Sequence, residues 1–279
     1  MYQEVGQLFS SCFNENLDYK HWKEFFLGSP FGSSVGVSGY VDGTLVGFYG
    51  LIPQRLMRQA SKDLEYFLGV SLMIHPDHRG TAFFDLLEAA FATARRTSSL
   101  FILGFPNANS YLPLVRLLNW RLLLETEFFE IDILRPSSMV NSNNDVNTHL
   151  ISIQNTSSQW GVPYQDEAYM KWRSYRNAYS IVPLVMGCDV VYKIIEPNTL
   201  DMMDVRIGAT QEITLGSLLK LALQNNCDKI VLTGYHADIL GVDKSFLKPR
   251  SEYRLRLCVF PIREMVPPIH LSLLMSDVF

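Results

Sequence analysis

Residues 73–87 read Met-Ile-His-Pro-Asp-His-Arg-Gly-Thr-Ala-Phe-Phe-Asp-Leu-Leu. This is an apolar strand, a short polar loop ending in Arg79-Gly80, and an amphipathic helix that starts without a break. A strand delivered straight into a helix leaves N–H groups of the first turn without partners. With the positive end of the helix dipole, those donors form a site for phosphate. Gly80 lets a ligand come close to the backbone, and Arg79 can add a charge-assisted contact. The segment therefore predicts an α/β unit that binds a phosphorylated small molecule.

Periodicity extends this plan along the first half. Residues 4–13 place Val5, Leu8, Phe9 and Cys12 at helical spacing. Residues 19–27 repeat the pattern with Trp22, Phe25 and Phe26, and Gly28-Ser29-Pro30 stops it. Two β-rich runs, 34–40 and 44–52, flank Asp42-Gly43, a hairpin signal. Residues 64–74 read as a strand leading to the loop, and 81–96 as a helix with Phe84, Leu87, Ala90, Phe91 and Ala94 on one face. Residues 100–105 read as a buried strand. A helix over 110–118 tolerates Pro113 in its first turn, and 120–134 supply two more strand-like stretches.

Residues 136–147 turn polar and turn-rich, the best candidate linker. The second half then repeats the order of the first: a helix at 166–175, strands at 181–186, 189–196 and 201–207, a helix at 213–224, and a strand at 229–233. A short helix from His236 and strands at 252–260 and 270–275 complete it. This is a repeat of pattern, not of letters. The expected division is 1–135, a linker at 136–150, and 151–279. The plain alternative for the second part is an unrelated α+β unit.

In this order of elements, with its Arg79-Gly80 loop, the chain resembles the GNAT (GCN5-related N-acetyltransferase) superfamily. The family's loop reads Arg/Gln-x-x-Gly-x-Gly/Ala and cradles the coenzyme A pyrophosphate. The chain matches at Arg79 and Gly80 and departs at Ala82 and Phe84. The resemblance covers roughly residues 1–134 and implies an acyltransferase that takes acetyl-CoA as co-substrate. By family position, His78, Arg79, Gly80, Thr81, Ala82, Phe83 and Phe84 would hold the phosphates. Val70, Ser71, Leu72 and Met73 would meet the thioester and its arm through backbone groups, and Asn107 and Asn109 are further coenzyme contacts or helix caps. In the second half, Arg206-Ile207-Gly208-Ala209-Thr210 stands where the phosphate loop would and lacks the Arg-Gly pair. The resemblance therefore implies a tandem, mixed-sheet architecture with one coenzyme site, in the first half.

Acyl transfer to an amine needs a polarised carbonyl, a neutral amine, a stabilised thiolate and close approach of the partners. Glu65, with Asp63 two residues earlier, is the candidate base. Glu125, Glu127 and Glu130 are weaker candidates. The family often carries a tyrosine in the helix after the buried strand, but Leu114 or Val115 occupies that position here. Tyr111, one turn earlier, is the nearest hydroxyl and the candidate acid, with packing as its other reading. Trp22, Phe25, Phe26 and Phe31 read as core.

Composition closes off other classes. A net charge of −4 gives no general attraction to nucleic acid or anionic membranes, and no apolar run is long enough to span a bilayer. The start, Met1-Tyr2-Gln3-Glu4, lacks a basic-then-apolar leader, so a cytoplasmic location is expected. The four cysteines fit no zinc template, and His75 and His78 offer too few ligands, so no metal is expected. The expected partner is a small-molecule amine. An amino sugar of surface-polysaccharide biosynthesis is the first candidate, by analogy with similar GNAT proteins. The competing reading is a GNAT-like protein that binds acyl-CoA, or only a partner, without turnover.

Overall fold

Two short helices lead the chain because apolar residues recur every three to four positions. Helix α1 (Tyr2–Phe13) buries Val5 and Leu8. Helix α2 (Tyr19–Leu27) starts at Asp18, whose carboxylate accepts the His21 N–H at 2.9 Å, and buries Trp22, Phe25 and Phe26. The computed structural model describes residues 2–58, 61–133, 162–163, 166–174, 179–185, 188–195, 198–207, 215–263, 266–267 and 269–275. The linker stretch and the Gly208-Ala209-Thr210 part of the second loop lie outside them.

Strands β1 (Val35–Val41) and β2 (Thr44–Arg58) form a hairpin. Its turn has positive φ at Asp42 (48°) and Gly43 (78°), the geometry that suits a two-residue connection between twisted strands. Strand β3 (Ser61–Ile74) follows, then helix α3 (Thr81–Arg95), β4 (Phe101–Gly104), helix α4 (Ala108–Leu117) and β5 (Arg121–Asp132). The second half holds β6 (Val162–Pro163), α5 (Glu167–Arg173), β7 (Ser180–Val185), β8 (Cys188–Ile195) and β9 (Thr199–Ile207). It ends with α6 (Leu215–Gln224), β10 (Lys229–Thr233), α7 (Gly234–Ile239) and β11 (Lys248–Pro261).

One sheet joins both halves, in the order β1-β2-β3-β4-β11-β5-β10-β9-β8-β7, with β6 pairing β2. Read inward from either edge, two antiparallel pairings are followed by one parallel pairing, β3 with β4 and β9 with β10. The last strand of each half then crosses over. β11 from the second half pairs β4, and β5 from the first half pairs β10. The two exchanged strands pair with each other at the centre.

Two expectations are corrected. Where two strand-like stretches are expected in 120–134, one strand runs unbroken from Arg121 to Asp132, and β11 and β10 pair along its two sides. Residues 270–275 form no strand; they hold a 3-10 turn at Leu273–Met275. Leu271, Ser272 and Leu273 are all buried, so the alternation of a half-exposed strand is missing.

Helix α3 covers β1–β4 with a core that includes Leu51, Phe67, Leu87, Ile102, Trp120 and Phe260. Helix α6 covers the second half with Val190, Leu200, Leu218, Leu221 and Ile230. A third core holds α1, α2 and α5 residues together with Leu271, Leu273 and Met275. Helix α5 fixes α2: the Trp172 ring stacks on Phe25 at 5.4 Å, and its Nε1–H donates to the Phe25 carbonyl at 3.0 Å.

Candidate active site

β3 and β4 pair for only three residues. Phe67 faces Ile102, Leu68 faces Leu103, and Gly69 faces Gly104. β4 stops at Gly104, while β3 runs on to Ile74. Val70, Ser71, Leu72 and Met73 therefore have no β4 partner, and their backbone borders an opening between parallel strands. Over the same residues β3 carries a bulge. Its register against β2 jumps from Gly50–Val70 to Phe48–Met73, so Ser71 and Leu72 together oppose Tyr49. Ser71 has φ +52°, an uncommon conformation for a residue other than glycine. Such bulges redirect backbone groups beside functional sites. The Ser71 hydroxyl is buried and unpartnered.

Both glycines of the last rung lie under aromatic rings. A Cβ on Gly69 would come 1.9 Å from the Tyr49 hydroxyl oxygen, and one on Gly104 would come 3.2 Å from the Trp120 ring. These close approaches are why the rung is Gly-Gly.

β3 ends in the polar loop. His75 donates its N–H to the Val46 carbonyl at 2.8 Å, and a 3-10 turn, Pro76–His78, leads to Arg79 and Gly80. Gly80 is the residue before α3, with φ 114° and ψ −113°, and no side chain caps the helix. Phe83 donates its N–H to the Gly80 carbonyl at 3.2 Å, which leaves the donors of Thr81 and Ala82 to a ligand or to water. Nothing lies within 4 Å of where a Gly80 Cβ would point, so the space over the loop is open. Arg79 is exposed. Burial pushes the Cys12 thiol up and the Arg79 guanidinium partly offsets this, so the loop cation lies on the α1 side. Ala82, Phe83 and Phe84 are half-buried, with the two phenyl rings edge to face at 5.3 Å. Thr81 is the first residue of α3.

Asn107 caps α4, accepting the N–H groups of Asn109 and Ser110 at 3.0 Å each. Asn109 is exposed. Tyr111 is half-buried, and the Arg256 guanidinium lies 4.6 Å from its ring centre. Arg256 comes from the exchanged strand β11, two residues before Cys258, which pairs Gly104. Antiparallel β11 therefore carries Arg256 past the end of β4, beside the opening. Glu125 holds it through Nε at 3.0 Å and binds Arg254 at 2.9 Å. The two arginines, Arg254 first, keep the Glu125 carboxyl below its ordinary value, which suits an ion-pair anchor and not a base. Glu127 pairs with Arg254, and Glu130 with Lys229.

Glu65 is not brought to the opening. It pairs Arg55, accepts a hydrogen bond from Ser98, and its carbonyl accepts the Leu100 N–H at 2.9 Å. It thus lies where β4 begins. Five residues of strand, roughly 16 Å, separate it from Val70. Leu114 is buried and Val115 half-buried. Tyr49 lay outside the expected site because in the sequence it is one more aromatic in an apolar strand.

The arrangement can be set beside known structures. The overall fold is similar to that of a GCN5-related N-acetyltransferase from Anabaena variabilis over 94% of this chain and 70% of that one, with TM-score 0.63 and 13% identity. The chain has the GNAT fold. A conserved protein of unknown function from Enterococcus faecalis, described as a probable N-acyltransferase, gives the same coverages, TM-score 0.62 and 11% identity. Eis1 from Mycobacterium abscessus is matched over 94% of this chain and 71% of that one, with TM-score 0.57 and 12% identity. No family model and no curated protein matches the sequence. Among the described residues no helix is long and apolar enough to cross a membrane, and no group of acidic, histidine or cysteine side chains could hold a metal ion.

In the second half of this GNAT fold, β9 and β10 pair over Thr199–Asp201 and Lys229–Val231. Beyond that rung His270 Nε2 lies 2.9 Å from the buried Asp204 carboxylate, and the Tyr235 hydroxyl lies 3.0 Å from His270 Nδ1. Leu271, Leu273 and Met275 are buried there.

Proposed function

We propose that the chain transfers an acyl group from acyl-CoA, acetyl-CoA first among donors, to the amine of a small molecule. The observation that carries this is the strand that leaves its parallel neighbour at Gly69–Gly104, bulges at Ser71, and runs through Arg79-Gly80 into an uncapped helix. Open backbone donors and an orphaned buried hydroxyl suit a ligand with a pyrophosphate at one end and an amide-rich arm.

In this reading the α3 N-terminus, Gly80 and Arg79 hold the phosphates. The backbone of Val70, Ser71, Leu72 and Met73 holds the arm and polarises the acyl carbonyl. The amine attacks that carbonyl, the C–N bond forms, the C–S bond breaks, and the thiolate takes a proton. Tyr111, steadied by Arg256, is the donor of that proton, and water takes the proton the amine gives up. The second half, its counterpart opening lined by the C-terminal segment, completes the acceptor groove and binds no coenzyme.

The test is thiol release from acetyl-CoA in the presence of an amine panel, amino sugars first. Release that depends on one amine class supports the enzyme. Coenzyme binding without release for any amine favours the second reading, a non-catalytic acyl-CoA binder. The absence of a hydroxyl at Leu114 and Val115 is what keeps that reading in play.

A further inference from the structure

We propose that Tyr49 is a ligand-binding residue of this site, its hydroxyl donating a hydrogen bond to a carbonyl oxygen of the acyl-pantetheine arm. The inference rests on the acyl-CoA reading and adds a residue that lies on neither the phosphate loop nor the bulged strand.

Three observations converge on Tyr49. It is the single β2 residue opposite the two-residue bulge. Its side chain crosses the neighbouring strand β3 at Gly69, where a Cβ would come 1.9 Å from its oxygen and 2.8 Å from Cζ. The hydroxyl therefore lies over Gly69, on the last rung before β3 and β4 part. Ile102 of β4 closes the same contact, with a methyl 3.3 Å from the Gly69 position.

The environment is apolar. Tyr49 is 4% exposed and packs in the cluster that holds Phe67, Leu87 and Ile102. Burial is the only influence acting on its ionisation, and it drives that upward. The phenol is therefore neutral at any working pH and serves as a donor. No hydrogen bond reaches its hydroxyl among the described residues. A hydroxyl placed there with no protein partner is left to water or to a ligand. The unpartnered Ser71 hydroxyl is buried in the bulge opposite. Two unmet polar groups at the head of one opening call for a ligand that brings carbonyl oxygens to them. A coenzyme A arm does so with two amides and, when acylated, a thioester.

The experiment is calorimetry of the wild-type chain and Tyr49→Phe with acetyl-CoA and with adenosine 3′,5′-diphosphate, which lacks the arm. Thermal unfolding of both proteins runs alongside. The expected result is acetyl-CoA binding about 10-fold weaker in Tyr49→Phe, as the loss of one hydrogen bond predicts. Affinity for the arm-less nucleotide and the unfolding temperature should not fall. Equal acetyl-CoA affinity in both proteins overturns the inference and leaves the acyl-CoA reading standing. Equal weakening for both ligands also overturns it, since that reports a distortion and not a contact with the arm. A wild-type chain that binds neither ligand overturns the inference together with the reading beneath it.

Discussion

Gly69 on β3 and Gly104 on β4 face each other across the last rung before the two parallel strands part, and an aromatic ring covers each, Tyr49 the first and Trp120 the second. Gly69→Ala should therefore destabilise the fold by about 1–3 kcal/mol, the usual cost of overpacking a core. Adding Tyr49→Leu to it should recover part of the loss. Urea unfolding of the single and double variants measures both; a Gly69→Ala as stable as the parent refutes this packing.

The start of α3 makes a different demand. A Cβ on Gly80 would meet nothing within 4 Å, so substitution there is opposed by φ 114° and not by a clash. Gly80→Val should stay folded and lose at least 10-fold in acetyl-CoA affinity. Arg79→Ala should lose several-fold and bind with a weaker salt dependence, because one charge contact is gone. Titrations at two salt concentrations check this.

Tyr111 and Glu65 should part company. If the Tyr111 hydroxyl protonates the thiolate, Tyr111→Phe should lower kcat by roughly 10- to 100-fold. Arg256→Met should lower kcat in the parent and much less in the Tyr111→Phe background, since the guanidinium acts through the ring. Glu65→Gln should leave the pH–rate profile unchanged, because Ser98 holds that carboxylate at the far end of β3. A shifted profile would restore Glu65 as the base.

Acid stability should reflect His236. Burial, as the main cause, pushes its value down from 6.5 to about 4; the Asp204 carboxylate works against this and His270 adds to it. The unfolded chain then binds a proton that the folded chain refuses. Stability is full above pH 6.5 and falls as pH drops toward about 4, by up to ~3 kcal/mol. His236→Phe should flatten that fall, read from urea midpoints between pH 7 and 4. An unchanged slope would show that other groups govern it.

Local elements were legible because local chemistry decides them. Trp22, Phe25 and Phe26 at helical spacing before Gly28-Ser29-Pro30 mark α2, and Asp42-Gly43 marks the first hairpin. The strand exchange was not legible: nothing in residues 248–261 says that they pair β4 as well as β5, because pairing partners far apart in sequence are chosen by the whole sheet. The same distance hid two members of the candidate site. Tyr49 lies on the strand before the strand–loop–helix segment and Arg256 far beyond it, and only the register of β2 against β3 and of β11 against β4 brings them to the opening. Glu65 illustrates the converse. It shares a strand with the site residues, but a strand is long, and the two ends of β3 serve different places.

The most direct measurement is calorimetric titration of the whole chain with acetyl-CoA, in parallel with Gly80→Val. The account predicts one coenzyme per chain, bound through the Arg79-Gly80 loop of the first half, and a large loss of affinity in the folded variant. Two coenzymes per chain, or an affinity indifferent to Gly80→Val, would contradict it.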